Sequence, residues 1–178
     1  MSDPLDIRVL DPFPAAAVEA LARESAREGF RFVRRLVDEH AAGDVRFDGP
    51  GEVLLGVFEG DELVAIGGIT RDPYGGDANV GRVRHVYVRA AHRRRGIGEA
   101  LVRALEAHAR AHFAALVLRT DTDAAARFYA ALGWRTLAAG GTATHGRDLG
   151  PAGEPSPSPR AQAAGPAEND RGFSSGPV

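Results

Sequence analysis

Val86-Tyr87-Val88-Arg89-Ala90-Ala91-His92-Arg93-Arg94-Arg95-Gly96-Ile97-Gly98-Glu99-Ala100-Leu101 is the stretch on which the reading of this chain turns. It opens on β-branched and aromatic residues, passes through an arginine-rich turn with two glycines, and runs on with helical apolar spacing. A strand, a tight turn and a helix in that order leave unpaired N–H groups and the positive end of the helix dipole at the turn. Such a terminus attracts phosphate. Gly96 and Gly98 allow the backbone close to an anion. Arg93, Arg94 and Arg95 add charge-assisted donors. Two common phosphate loops do not fit. GxxxxGK[ST] is absent, since the chain has no lysine. The dinucleotide pattern GxGxxG fails because Arg94 and Glu99 interrupt it. A nucleotide loop is the poorer reading, because no Mg²⁺-ligand motif accompanies it.

Working outward, Arg82–Arg89 reads as the strand before the turn and Ile97–Ala111 as the helix after it, with Ile97, Leu101, Leu105 and Ala109 on one face. Ala115–Thr120 is a short buried strand. Asp123–Leu132 is a helix capped by Thr122 or Asp123 and stopped by Gly133. Trp134–Ala138 and Ala143–Leu149 form a closing hairpin. Upstream, Asp6–Leu10 alternates as a strand, and Ala15–Glu28 and Phe32–Ala42 carry helical periodicity. Val53–Glu59 and Leu63–Thr70 flank a Gly-Asp-Glu turn and read as a hairpin. Arg71–Val80, with Pro73, Gly75, Gly76 and Asn79, is a loop. The order predicts one mixed α/β domain over 1–149, with Arg82–Arg89 and Ala115–Thr120 parallel across their crossover helix. Residues 150–178 are rich in Pro, Gly and Ser and are expected to form a disordered tail.

The loop resembles the acyl-CoA-binding motif of the GNAT N-acetyltransferases, [QR]-x-x-G-x-[GA], with Arg93, Gly96 and Gly98 at the three fixed positions. Ala90 stands where that family often has proline. A second stretch, Thr122 to Trp134, resembles the family's N-x-x-A-x-x-[FL]-Y-x-x-x-G-[FW] signature through Ala125, Phe128, Tyr129, Gly133 and Trp134. Thr122 replaces the usual Asn. The resemblance implies a GNAT-like mixed central sheet flanked by helices, with acetyl-CoA as acyl donor. It implies that the amides of Arg94, Arg95, Gly96, Ile97, Gly98 and Glu99 grip the pyrophosphate beside Arg93. It also implies that Val86, Tyr87 and Val88 pair with the pantetheine arm as an added strand, and that Thr122 contacts it. Tyr129 is implied to protonate the departing thiolate. A thiol ionises near pH ~8.5 and a phenol near ~10, so that task is modest. Packing beside Phe128, Leu132 and Trp134 is the alternative role for Tyr129.

Composition narrows the chemistry. With no cysteine there is no disulfide and no thiolate nucleophile, and with no GxSxG elbow nothing suggests an acyl-enzyme. Without lysine, Schiff-base chemistry is excluded. The resulting expectation is direct attack of a neutral amine on the thioester, the carbonyl oxygen being held by a backbone N–H near Val86. The strand before the loop has no carboxylate, which leaves His85 or solvent as the base. His145 is a weaker candidate. His108 and His112 are spaced i, i+4 without a HExxH glutamate, so no metal is expected. A formal charge of -2 argues against nucleic acid as a partner. The absence of an ~18-residue apolar run and of an apolar leader in Met1–Leu10 argues against a membrane and for the cytoplasm. Codon-biased Ala, Gly and Arg usage suggests a bacterial source. Partners are expected to be acetyl-CoA and an amine, in a monomer or homodimer. The rival reading is a catalytically silent acyl-CoA-binding sensor or scaffold.

Overall fold

The computed structural model describes residues 4–150. Of the tail expected over 150–178, residues 151–178 lie outside them. The order is β1 (Asp6–Val9), α1 (Ala15–Arg27), α2 (Phe32–Ala42), β2 (Val53–Glu59), β3 (Glu62–Arg71), β4 (Val80–Val88), α3 (Ile97–Ala109), β5 (Ala115–Leu118), α4 (Asp123–Ala131), β6 (Arg135–Thr136) and β7 (His145–Asp148). A short 3-10 turn over Ala90–His92 was not foreseen. One seven-stranded sheet runs β1-β2-β3-β4-β5-β7-β6. Its pairs are antiparallel except β4 with β5, which are parallel as the crossover requires. β7 enters between β5 and β6, so the closing hairpin meets the sheet through its second strand.

Helices cover both faces of the sheet, and the central strands therefore read as unbroken apolar runs. Alternation sorts their side chains. Leu54, Leu63, Ile66 and Tyr87 pack with Val18, Leu21, Phe32 and Leu36 of α1 and α2. Val53, Leu55, Val83, Val86 and Val88 pack with Leu101 and Leu105 of α3 and Tyr129 of α4. Among the described residues no helix is long and apolar enough to cross a membrane.

Two irregularities shape β4. Its register against β3 jumps between Gly68↔Arg84 and Ile66↔Tyr87, so His85 and Val86 together oppose Gly67. This is a β-bulge, with His85 at φ 59. On the other side, pairing with β5 covers Val80, Gly81 and Arg82. Beyond Arg82 the two parallel strands separate, and β5 continues its pairing with β7 as far as Leu118↔His145.

Candidate active site

The gap between β4 and β5 opens at the C-terminal ends of two parallel strands, the usual ligand position in such sheets. Arg89 N donates to Val64 O, so β4 turns that amide toward β3. By alternation Val86 and Val88 turn their peptide groups the opposite way, into the gap, while Tyr87 pairs with Ile66. The Val86 and Val88 side chains join the α3 core. The gap-facing edge therefore offers main-chain donors and acceptors over an apolar floor, which suits an extended chain bearing amides.

The loop beyond β4 ends at the start of α3. Gly96 is its N-cap at φ 77, a conformation that favours glycine, and Arg94 precedes it at φ 62. The first intrahelical bond is Ala100 N to Gly96 O. The amides of Ile97, Gly98 and Glu99 come before it and lack intrahelical acceptors. Gly98 is buried. Opposite, Thr122 caps α4, its Oγ1 accepting from Ala125 N at 3.2 Å. Both helix N-termini thus open at the same end of the β4–β5 gap.

Tyr129 lies two turns into α4 and is fully buried. Its ring meets Phe128 at 5.0 Å and Trp134 at 5.5 Å in edge contacts, and His145 stands 6.3 Å away. Trp134 is anchored by Nε1 donating to Glu106 Oε1 at 2.9 Å. The His145 Nδ1 is 2.9 Å from Thr144 Oγ1, and burial lowers its pKa.

His85 belongs to the other face. Its Nδ1 lies 2.9 Å from Phe32 O and must donate, because a carbonyl only accepts. Nε2 then carries the lone pair, buried and without a hydrogen-bond partner among the described residues. Phe47 meets the ring edge-on at 6.5 Å. The structure therefore does not bring His85 and Tyr129 together. Burial first, then the Arg84 charge, draws the His85 pKa down to about 3, so the ring is neutral at pH 7. Unfolding returns it to an ordinary value near ~6.5. The unfolded chain then binds the extra proton between those values. Stability from neutral His85 is complete above pH ~6.5 and is lost as pH falls toward 3. Within that window the slope approaches about 1.4 kcal/mol per pH unit. Unfolding followed from neutral to acid pH is expected to show this decline, and His85→Gln, which keeps a donor for Phe32 O, to flatten it. An equal decline in the variant would place the acid sensitivity elsewhere.

The arginines of the loop are less alike than their sequence suggests. Arg93 forms a two-pronged ion pair with Glu28, both contacts at 2.7 Å. Arg95 reaches Glu59 at 2.9 Å. Arg94 is exposed. The sequence pairs neither Glu28 nor Glu59 with the loop, and no local signal does so, because both lie far from it in the chain.

Residues 16–134 match the model of the Acetyltransferase (GNAT) family. Solved structures share the fold. A protein from Exiguobacterium sp. 255-15, named for an inferred acetyltransferase activity, is 28% identical with TM-score 0.69, over 82% of this chain and 93% of that one. A GNAT family acetyltransferase from Brucella melitensis, solved with acetyl-CoA, is 19% identical with TM-score 0.64, over 84% and 91%. A GCN5-related N-acetyltransferase from Kribbella flavida is 22% identical with TM-score 0.65, over 82% and 98%. No curated protein matches the chain.

Proposed function

Because the chain belongs to the GNAT acetyltransferase family, we propose that it is an N-acetyltransferase that moves the acetyl group of acetyl-CoA directly to a primary amine of a small molecule or peptide. The observation that carries this reading is the course of β4, whose gap-facing edge runs past Val88 into the amide-rich start of α3. The edge suits the pantetheine amides and the helix start suits the pyrophosphate. Val86 and the Val88 amide hold the arm along the strand, the Val88 carbonyl being taken by Arg93 Nε. The amides of Ile97, Gly98 and Glu99 hold the phosphates, and Thr122 lines the far side.

The thioester supplies an electrophilic carbonyl and a good leaving group. A neutral amine attacks the carbonyl carbon, the C–N bond forms and the C–S bond breaks. The Val86 N–H stabilises the carbonyl oxygen as it gains charge. Tyr129 Oη delivers a proton to the sulfur, the amine gives one up to solvent, and solvent returns one to Tyr129. We assign that last proton to water, because His85 is buried and holds its lone pair against protonation down to about pH 3. Most of the acceleration comes from holding two reactants in one gap. Titration of the purified protein with acetyl-CoA in a calorimeter is expected to give saturable binding with about one site per chain. No binding by folded protein would overturn the reading. An amine panel then reads release of thiol, and the cysteine-free chain adds no background. Binding without turnover of any amine would favour the silent-module reading, toward which a β4 without a carboxylate points.

A further inference from the structure

Arg93 faces into the protein rather than outward. Its Nη1 and Nη2 each lie 2.7 Å from a different oxygen of Glu28, the C-cap of α1. Its Nε donates to Val88 O at 2.9 Å, and its guanidinium centre sits 5.4 Å from the centre of the Tyr87 ring. Tyr87 Oη donates to Glu28 at 2.5 Å and lies 3.3 Å from Glu24. Glu24 takes Arg89 Nε at 2.8 Å and the Ala90 amide at 2.9 Å. Arg89 also pairs with Glu62. On the loop's other flank, Glu59 at the end of β2 binds Arg95 and stands 3.3 Å from His92 Nε2. Carboxylates from α1, β2 and β3 thus hold the loop between β4 and α3.

We propose that Glu28 is a positioning residue for the acetyl-CoA loop, acting through Arg93, and that Arg93 is a strut of that loop and not a phosphate ligand. The inference deepens the donor site and rests on it. Three features carry it. First, the Arg93 fork is already matched by a carboxylate of equal and opposite charge, so a pyrophosphate approaching it would meet Glu28 as well. Glu28 stays ionised, because the Arg93 guanidinium holds its carboxyl below the usual range. Second, Val88 O points into the β4–β5 gap, and Arg93 Nε caps it. The cap ties the loop to the strand edge that receives the pantetheine, so the two halves of the donor site share one register. Third, Arg94 carries no ion pair among the described residues and is exposed at the turn, which leaves it as the cation available to an anion. The helix α1, on the face of the sheet away from α3, thereby sets the position of the donor loop.

The test turns on sign. If Arg93 were a phosphate ligand, Glu28 would compete for it, and Glu28→Gln would tighten acetyl-CoA binding or leave it unchanged. As a strut pair, Glu28→Gln and Arg93→Gln each raise the Kd for acetyl-CoA by about tenfold, and the double variant is no worse than either. KM for acetyl-CoA rises in step, while kcat at saturating donor holds. Glu28→Asp, which keeps the charge, recovers most of the affinity. Thermal unfolding of the variants stays near wild type, as expected for a partly exposed pair. Tighter or unchanged binding by Glu28→Gln, or additive losses in the double variant, would overturn the proposal. Failure of folded wild-type protein to bind acetyl-CoA would instead overturn the donor reading, and the two failures are distinguishable.

Discussion

Tyr129→Phe is expected to lower kcat by about 100-fold while KM for acetyl-CoA stays near wild type. The substitution removes one oxygen and keeps the ring. The ring contacts with Phe128 and Trp134 survive, so the packing around the side chain is kept. The loss falls on proton delivery to sulfur, a step made in the transition state, and kcat and kcat/KM therefore fall together. The figure sits at the low end for general acids because a thiolate is a weak base, with its thiol ionising near pH ~8.5. Steady-state kinetics with any amine that turns over would read this. An unchanged kcat would return Tyr129 to the role of a packing aromatic. A large fall in thermal stability with unchanged kcat would make the same point from the other side.

The fold was legible where a signal was local. The i, i+4 apolar spacing of Ile97, Leu101 and Leu105 marked α3, although the helix ends at Ala109 and not Ala111. The two apolar runs before and after Gly60 marked the β2–β3 hairpin, and β4 begins at Val80, two residues ahead of the expected start. The turn from β4 into α3 was legible for the same reason, being a strand, turn and helix within sixteen consecutive residues. The bulge at His85 was not legible. It arises from a register mismatch between β3 and β4, which no single strand records, and it puts a residue that looks suited to proton transfer under Phe32 and Phe47. The partners of Arg93 and Arg95 were hidden too, since Glu28 and Glu59 come to the loop through tertiary packing. Charge in the sequence announced a phosphate loop, yet two of the three guanidiniums are bound to carboxylates.

Arg82→Ala is expected to destabilise the protein by about 3–5 kcal/mol, the cost of leaving a buried carboxylate without its partner. Arg82 is 1% exposed and Asp72 6% or 7%, by side chain and by whole residue. Arg82 Nε donates to Asp72 Oδ1 at 2.8 Å, Nη1 to Thr142 O at 3.1 Å and Nη2 to Thr142 Oγ1 at 3.3 Å, with the Tyr74 ring 4.7 Å from its guanidinium centre. One side chain thus joins the β3–β4 loop to the β6–β7 loop at the residue where β4 parts from β5. The contrast with Glu28 and Arg93 is one of burial. That pair is partly solvated, so its loss shows in loop geometry and donor affinity with little change in stability. Arg82 and Asp72 are dry, and their loss shows in stability. Urea unfolding of Arg82→Ala reads the prediction. The double substitution Arg82→Met with Asp72→Leu separates charge from shape. It removes both ions while keeping bulk, and is expected to recover most of the loss, as buried pairs replaced together by apolar residues commonly do. If Arg82→Ala costs less than about 1 kcal/mol, water reaches Asp72 readily and the root of the β4–β5 fork is held by its strand pairing alone.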